Sequence, residues 1–86
     1  MGSYRIEFAR SAERDLRRID RQIVPRIVSA IDELAIDPRP HGAKKLVGAD
    51  RTYRIRMGDY RVVYTVDDAV FIVSIDRIRH RREVYR

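Results

Sequence analysis

Residues Tyr53–Tyr64 read YRIRMGDYRVVY, and this stretch decides the fold. Two runs of alternating apolar residues flank Gly58-Asp59. Glycine at the first central position of a two-residue loop suits a type II′ hairpin turn, which needs a positive φ there. Counting outward pairs Met57 with Tyr60, Arg56 with Arg61, Ile55 with Val62, Arg54 with Val63 and Tyr53 with Tyr64. Opposed residues share a face, and the period along each strand is two. Tyr53, Ile55, Met57, Tyr60, Val62 and Tyr64 therefore line one face, and Arg54, Arg56 and Arg61 line the other. Like charges directly opposed destabilise a sheet. Three convergent guanidinium groups make sense on a surface that normally holds an anion.

The whole chain has 86 residues, which predicts one domain over residues 1–86 with a compact core. It contains no cysteine, so neither a disulfide framework nor a thiolate metal site is expected. No signal peptide and no long apolar run is evident, which points to a cytoplasmic protein with no membrane span. The net charge is +6, and of 19 basic residues only Lys44 and Lys45 are lysine. Arginine presents a planar fork that grips phosphate bidentately. Residues 1–43 carry eight basic and seven acidic groups, whereas residues 44–86 carry eleven and six. Arginine richness alone can reflect base composition. Clustering in the half that holds the hairpin points instead to a polyanionic partner, nucleic acid or an acidic protein.

Around the hairpin, Tyr4–Phe8 alternates as a half-buried strand. Ser11 suits the N-cap of a first helix whose apolar stripe is Ala12, Leu16 and Ile19, with Arg14, Arg17 and Arg18 toward water. Asp20 breaks the chain, and a second helix is expected from about Arg21 to Ala35. Pro25 then has to lie in its first turn. Residues 37–42, DPRPHG, form a loop. A short strand over 44–47 and a turn at Gly48-Ala49-Asp50 lead into the hairpin. Asp67-Asp68 turns the chain into Ala69–Ile75, an apolar, β-branched central strand. With those two acids as the loop, Ser74 falls opposite Arg61, and Phe71, Val73 and Ile75 join the core face. The sum is an α+β domain of order βααβββ: an antiparallel sheet, a two-helix hairpin on its apolar face and a basic concave face left open.

No glycine-rich phosphate loop, metal-ligand spacing or Ser-His-Asp set is present, so no metal or cofactor is expected. His41 reads as a solvated loop residue. His80 lies among arginines, whose charge disfavours the imidazolium; a neutral imidazole there could accept a proton. Tyr85 is either an anchor into the core or a platform for a nucleobase.

The hairpin, the terminal RIRHRREVY (77–85), and the front segments YRIEF (4–8), SAERDL (11–16), ELAIDPRP (33–40) and GAKKLVG (42–48) resemble the RelE/ParE toxin superfamily, most of all its RelE branch. The resemblance spans nearly the whole chain. It implies a ribosome-dependent mRNA interferase that cuts mRNA in the A site by 2′-OH transesterification. It also implies neutralisation by an acidic, RelB-like antitoxin, in a toxin–antitoxin heterotetramer. By position it assigns scissile-phosphate stabilisation to Arg61, the general acid to Arg79 and substrate stacking to Tyr85. Arg54 and Arg56 match the basic pair on the family's second strand. Lys44, Lys45, Arg77, Arg81 and Arg82 complete the candidate RNA-binding set. The best-studied RelE proteins carry lysines where this chain has Arg54 and Arg56. Arginine does not lose its proton, so Arg56 makes a poor general base, and His80, a ribosomal group or water is left to take that role. Strict alternation past Ser74 would put Arg79 on the core face, so a bulge or the strand's end near Asp76 is needed to re-aim it. The other readings are a ParE-type gyrase inhibitor and a homologue of weakened activity.

Overall fold

The computed structural model describes residues 3–84. The elements are β1 (Arg5–Phe8), α1 (Arg10–Arg18), α2 (Val24–Glu33), β2 (Lys44–Lys45), β3 (Thr52–Met57), β4 (Tyr60–Asp67), β5 (Ile72–His80) and α3 (Arg81–Val84). They make a five-stranded sheet of order β1-β5-β4-β3-β2. The meander β2–β5 is antiparallel, as expected. β1, however, joins the sheet parallel to β5, so the sheet is mixed. A parallel neighbour needs a crossover, which α1, α2 and the whole meander provide.

The hairpin register is the one counted from the sequence, from Met57 opposite Tyr60 to Tyr53 opposite Tyr64, and Gly58 takes φ +60°. One face of the sheet carries the core. Val62, Tyr64, Val66, Val73, Ile75 and Ile78 pack there against Ala12, Ile27, Ile31 and Leu34 of the helical segment. Tyr64 is 0% exposed, stacks on Tyr53 at 6.0 Å and donates its hydroxyl to the Pro38 carbonyl at 2.7 Å. Burial is the main reason that its phenol is pushed up to about 12, with the neighbouring Tyr53 adding to it.

Three local expectations need correction. α2 begins at Val24 rather than near Arg21. The Asp20 carboxylate accepts from the Gln22 amide and its carbonyl from the Ile23 amide, which keeps residues 21–23 in a turn. Pro25 then falls in the first helical turn, where a missing amide hydrogen costs nothing. Ser11 does not cap α1; Ala9 is the N-cap, and the Ser11 hydroxyl is used elsewhere. The β4–β5 connection is longer than Asp67-Asp68, because Asp67 pairs with Ile72. Ser74 therefore lies opposite Thr65 rather than Arg61. Phe71 ends the connection at φ +58°, half exposed, with its ring edge-on to Tyr4 at 5.4 Å instead of in the core. Among the described residues no helix is long and apolar enough to cross a membrane.

Candidate nucleic-acid interface

The face opposite the core is built by strand register. Arg61 lies opposite Arg56 on one side and opposite Arg79 on the other. Three guanidinium side chains thus form one row across β3, β4 and β5, with neighbouring Cα atoms about 4.5–5.5 Å apart. A second row runs Lys44, Arg54, Val63, Arg77. Gly42, Lys44, Arg54, Arg56 and Arg61 line a hollow of about 100 Å³ in this face. Gly42, with φ +98°, belongs to the α2–β2 loop and was not among the sequence candidates. The Arg56 Nε donates to the Gly58 carbonyl at 3.2 Å, which holds the stem of this side chain over the hairpin turn.

Arg79 reaches this row because β5 is irregular. Tyr64 pairs with Ile75 but Val63 pairs with Arg77, so Asp76 is an extra residue in the strand. This is the re-aiming that alternation required. It also returns Ile78, 3% exposed, to the core face.

The remaining candidates scatter. Lys45 pairs with Tyr53 and so belongs to the other face. His80 pairs with Tyr60, on the side of Val62 and Ile78, and its ring stands edge-on to Tyr60 at 5.2 Å. Its Nδ1 accepts from the Arg82 amide at 3.2 Å. The fold does not bring His80 to the arginine row. Arg81 turns to the hairpin tip, where its amide donates to the Asp59 carbonyl at 2.7 Å and its Nε lies 3.8 Å from the Asp59 carboxylate. Arg82 is exposed. Tyr85 lies outside the described residues.

Arg77 is drawn over the edge of β5. Its Nε donates to Asp15 Oδ2 at 2.9 Å, and that oxygen also accepts from the Ile78 amide at 2.8 Å. Asp15 thus covers a stretch of β5 edge that lies beyond the end of β1. Burial pushes the Asp15 carboxyl up, but the Arg77 guanidinium, the Ile78 amide and the charge of Arg79 outweigh it and hold it below its ordinary value. Arg39 and Tyr4 likewise lower Asp68, which joins the α2–β2 loop to the β4–β5 connection. A carboxylate lowered by folding stabilises the fold fully above its unfolded pKa of about 3.9 and loses that effect as pH falls. The contribution of these two groups to the melting temperature should therefore be constant with pH around neutrality and fall away below about pH 4. Asp15→Asn should lower the neutral-pH melt and flatten part of the acid decline. An unchanged acid limb in melts of that variant would contradict the assignment.

A family model described as the ParE toxin of type II toxin-antitoxin systems matches residues 6–85. The chain belongs to this family: it is a RelE-like toxin of the RelE/ParE superfamily. It is similar to Toxin RelG of Mycobacterium tuberculosis, 33% identical over 87 residues, covering 96% of this chain and 97% of RelG. Its fold is similar to the RelBE2 toxin–antitoxin complex of Mycobacterium tuberculosis, with TM-score 0.79 and 30% identity over 91% of this chain and 98% of that one. It is also similar to the archaeal RelE–RelB complex of Pyrococcus horikoshii, with TM-score 0.81 and 27% identity over 92% and 96% of the two chains.

Proposed function

We propose that this protein is a ribosome-dependent endoribonuclease that cuts mRNA in the A site and so stops translation. The observation that carries the reading is the Arg56–Arg61–Arg79 row: three like charges at adjacent positions of one sheet face, beside a hollow sized for an anion. Opposed like charges cost the free protein stability. A phosphate group turns that cost into binding, because each guanidinium can donate two hydrogen bonds to it.

In this reading the substrate's 2′-oxygen attacks the adjacent phosphorus, and the bond from phosphorus to the 5′-oxygen breaks. The products are a 2′,3′-cyclic phosphate and a 5′-hydroxyl. Arg61, at the centre of the row, neutralises charge growing on the non-bridging oxygens. Arg56 assists it, and Arg79 donates a hydrogen bond to the departing 5′-oxygen, which takes its proton from water or a ribosomal group. Lys44 and Arg54 hold the flanking backbone, and Tyr85 stacks on a base to keep the attack in line. None of the row is a base at neutral pH, since arginine remains protonated. His80 packs on the opposite face, so the proton of the 2′-hydroxyl passes to water or to a ribosomal group. That need explains why cleavage would depend on the ribosome.

The RelB complexes of its relatives support an antitoxin as partner; the arginine-rich surface makes that partner acidic in this reading, and the assembly a toxin–antitoxin heterotetramer. A small acidic protein encoded beside this chain should co-purify with it on co-expression; absence of any such product would sink the pairing. The description of the matched family as ParE favours a second reading, inhibition of DNA gyrase. Parallel translation and gyrase supercoiling assays separate the two. The proposal expects translation to stop with supercoiling untouched, and the reverse pattern would replace it.

A further inference from the structure

The residue that brings Arg79 into the row is gripped from two elements. The Thr65 hydroxyl of β4 donates to Asp76 Oδ2 at 2.7 Å. The Ser11 hydroxyl of α1 donates to the Asp76 carbonyl at 2.7 Å. One turn along α1 from Ser11, Asp15 takes the Arg77 guanidinium and the Ile78 amide. On the near side of the bulge, the Ala9 amide donates to the Ile75 carbonyl at 2.9 Å.

These contacts are specific to the irregularity. A regular strand carries its polar backbone atoms in the ladder, whereas a bulged residue leaves the ladder and needs other partners. Ser11 is the second residue of α1, past the Ala9 N-cap, so its hydroxyl is not placed to cap the helix. The hydroxyl is committed to the bulge instead. Were the register of Asp67–Ile72 continued without an extra residue, Ile78 would fall opposite Arg61 and Arg79 opposite Tyr60. Burial of Ile78 sets the average register, but it does not fix the angle at which the chain leaves the bulge. The paired hydroxyls do.

We propose that Ser11 and Thr65 are positioning residues that clamp the Asp76 bulge and thereby aim Arg79 at the same phosphate as Arg56 and Arg61. The inference rests on the phosphate-gripping reading of the row, but its test does not need cleavage. The probe is inorganic pyrophosphate, titrated into protein labelled for NMR of the arginine Nε–Hε signals. In the wild type the Arg56, Arg61 and Arg79 signals should move along one binding curve. In Thr65→Val, which removes the donor and keeps the shape, Arg56 and Arg61 should still respond while Arg79 leaves the common curve. Thr65→Ser should restore it. In single-turnover cleavage on ribosomes, Thr65→Val should lose about 10- to 100-fold in rate at saturation, with half-saturation little changed, as expected for a misplaced group rather than lost binding.

If Arg79 fails to move with the others in the wild type, or still follows their curve in Thr65→Val, the clamp is overturned whatever the cleavage assay gives. A loss of cleavage with the curve intact overturns it as well. If the wild type cuts no message while the titration behaves as described, the nuclease reading falls and the clamp stands. Should Thr65→Val not fold, Ser11→Ala is read by the same criteria.

Discussion

Arg61→Gln should cut single-turnover cleavage of ribosome-bound mRNA by about 10²–10³-fold, the range seen when one preorganised donor to a developing charge is removed. Arg61 is the central member of the row, opposed by Arg56 on one strand and Arg79 on the other. No other side chain of the row has both neighbours. Its backbone sits between buried Val62 and the hairpin turn, so its position is fixed by the strand while its side chain faces away from the core. Glutamine keeps much of the length and one donor but removes the charge. The loss should appear in the rate at saturation, with melting temperature as the control for the fold. Lys45→Gln, which neutralises a charge on the other face, should change the rate little. Equal effects of the two variants would mean that net charge, and not the row, carries the activity.

Tyr64→Ala should have the opposite signature. Tyr64 is the largest fully buried side chain among the described residues, packs against Tyr53 and satisfies its hydroxyl on the Pro38 carbonyl. Truncating a buried aromatic costs about 3–5 kcal/mol. A domain of this size has only about 4–13 kcal/mol in all. Melting should therefore fall by at least about 12 °C, and activity should vanish only as the fold does. The loss has a second part, because the Pro38 carbonyl loses its donor and the α2–β2 loop that carries Gly42 loses an anchor. Tyr53→Ala should cost less, since Tyr53 is only half-buried and lies under the Arg39 guanidinium at 5.3 Å. Equal melts for Tyr53→Ala and Tyr64→Ala would contradict this division of the core.

The hairpin was legible because its signals are local. A glycine in a two-residue turn and period-two alternation set both register and faces without reference to the rest of the chain. The helix pair was legible from apolar spacing, although the Asp20 turn moved the second helix start by three residues. The last strand was not legible in detail. AVFIVSI is almost wholly apolar, so periodicity could not fix where the connection ends, and three of its residues, Ala69, Val70 and Phe71, lie in the connection. Register then shifted for every residue downstream. One signal did survive: Ile75 and Ile78 are three apart, which no regular strand can bury on one face. That mismatch marks Asp76 as the extra residue. Arg54, Arg56 and Arg61 could be grouped from sequence, whereas Arg79 joined them only through the bulge. His80 and Lys45 were drawn into the candidate set by composition, and register puts them on the far face. The roles of Ser11, Thr65 and Asp15 were invisible, because each contacts residues more than ten positions away.

The most direct measurement is primer extension on a defined message in a cell-free translation reaction, run with wild-type protein, with Arg61→Gln and without added toxin. Wild-type protein should give new 5′ ends within the A-site codon of stalled ribosomes, bearing a 5′-hydroxyl and absent when ribosomes are omitted. The same ends should be nearly lost with Arg61→Gln. Intact message under wild-type protein that nonetheless halts translation, or wild-type levels of cutting by Arg61→Gln, would contradict the assignment of the arginine row to phosphoryl chemistry.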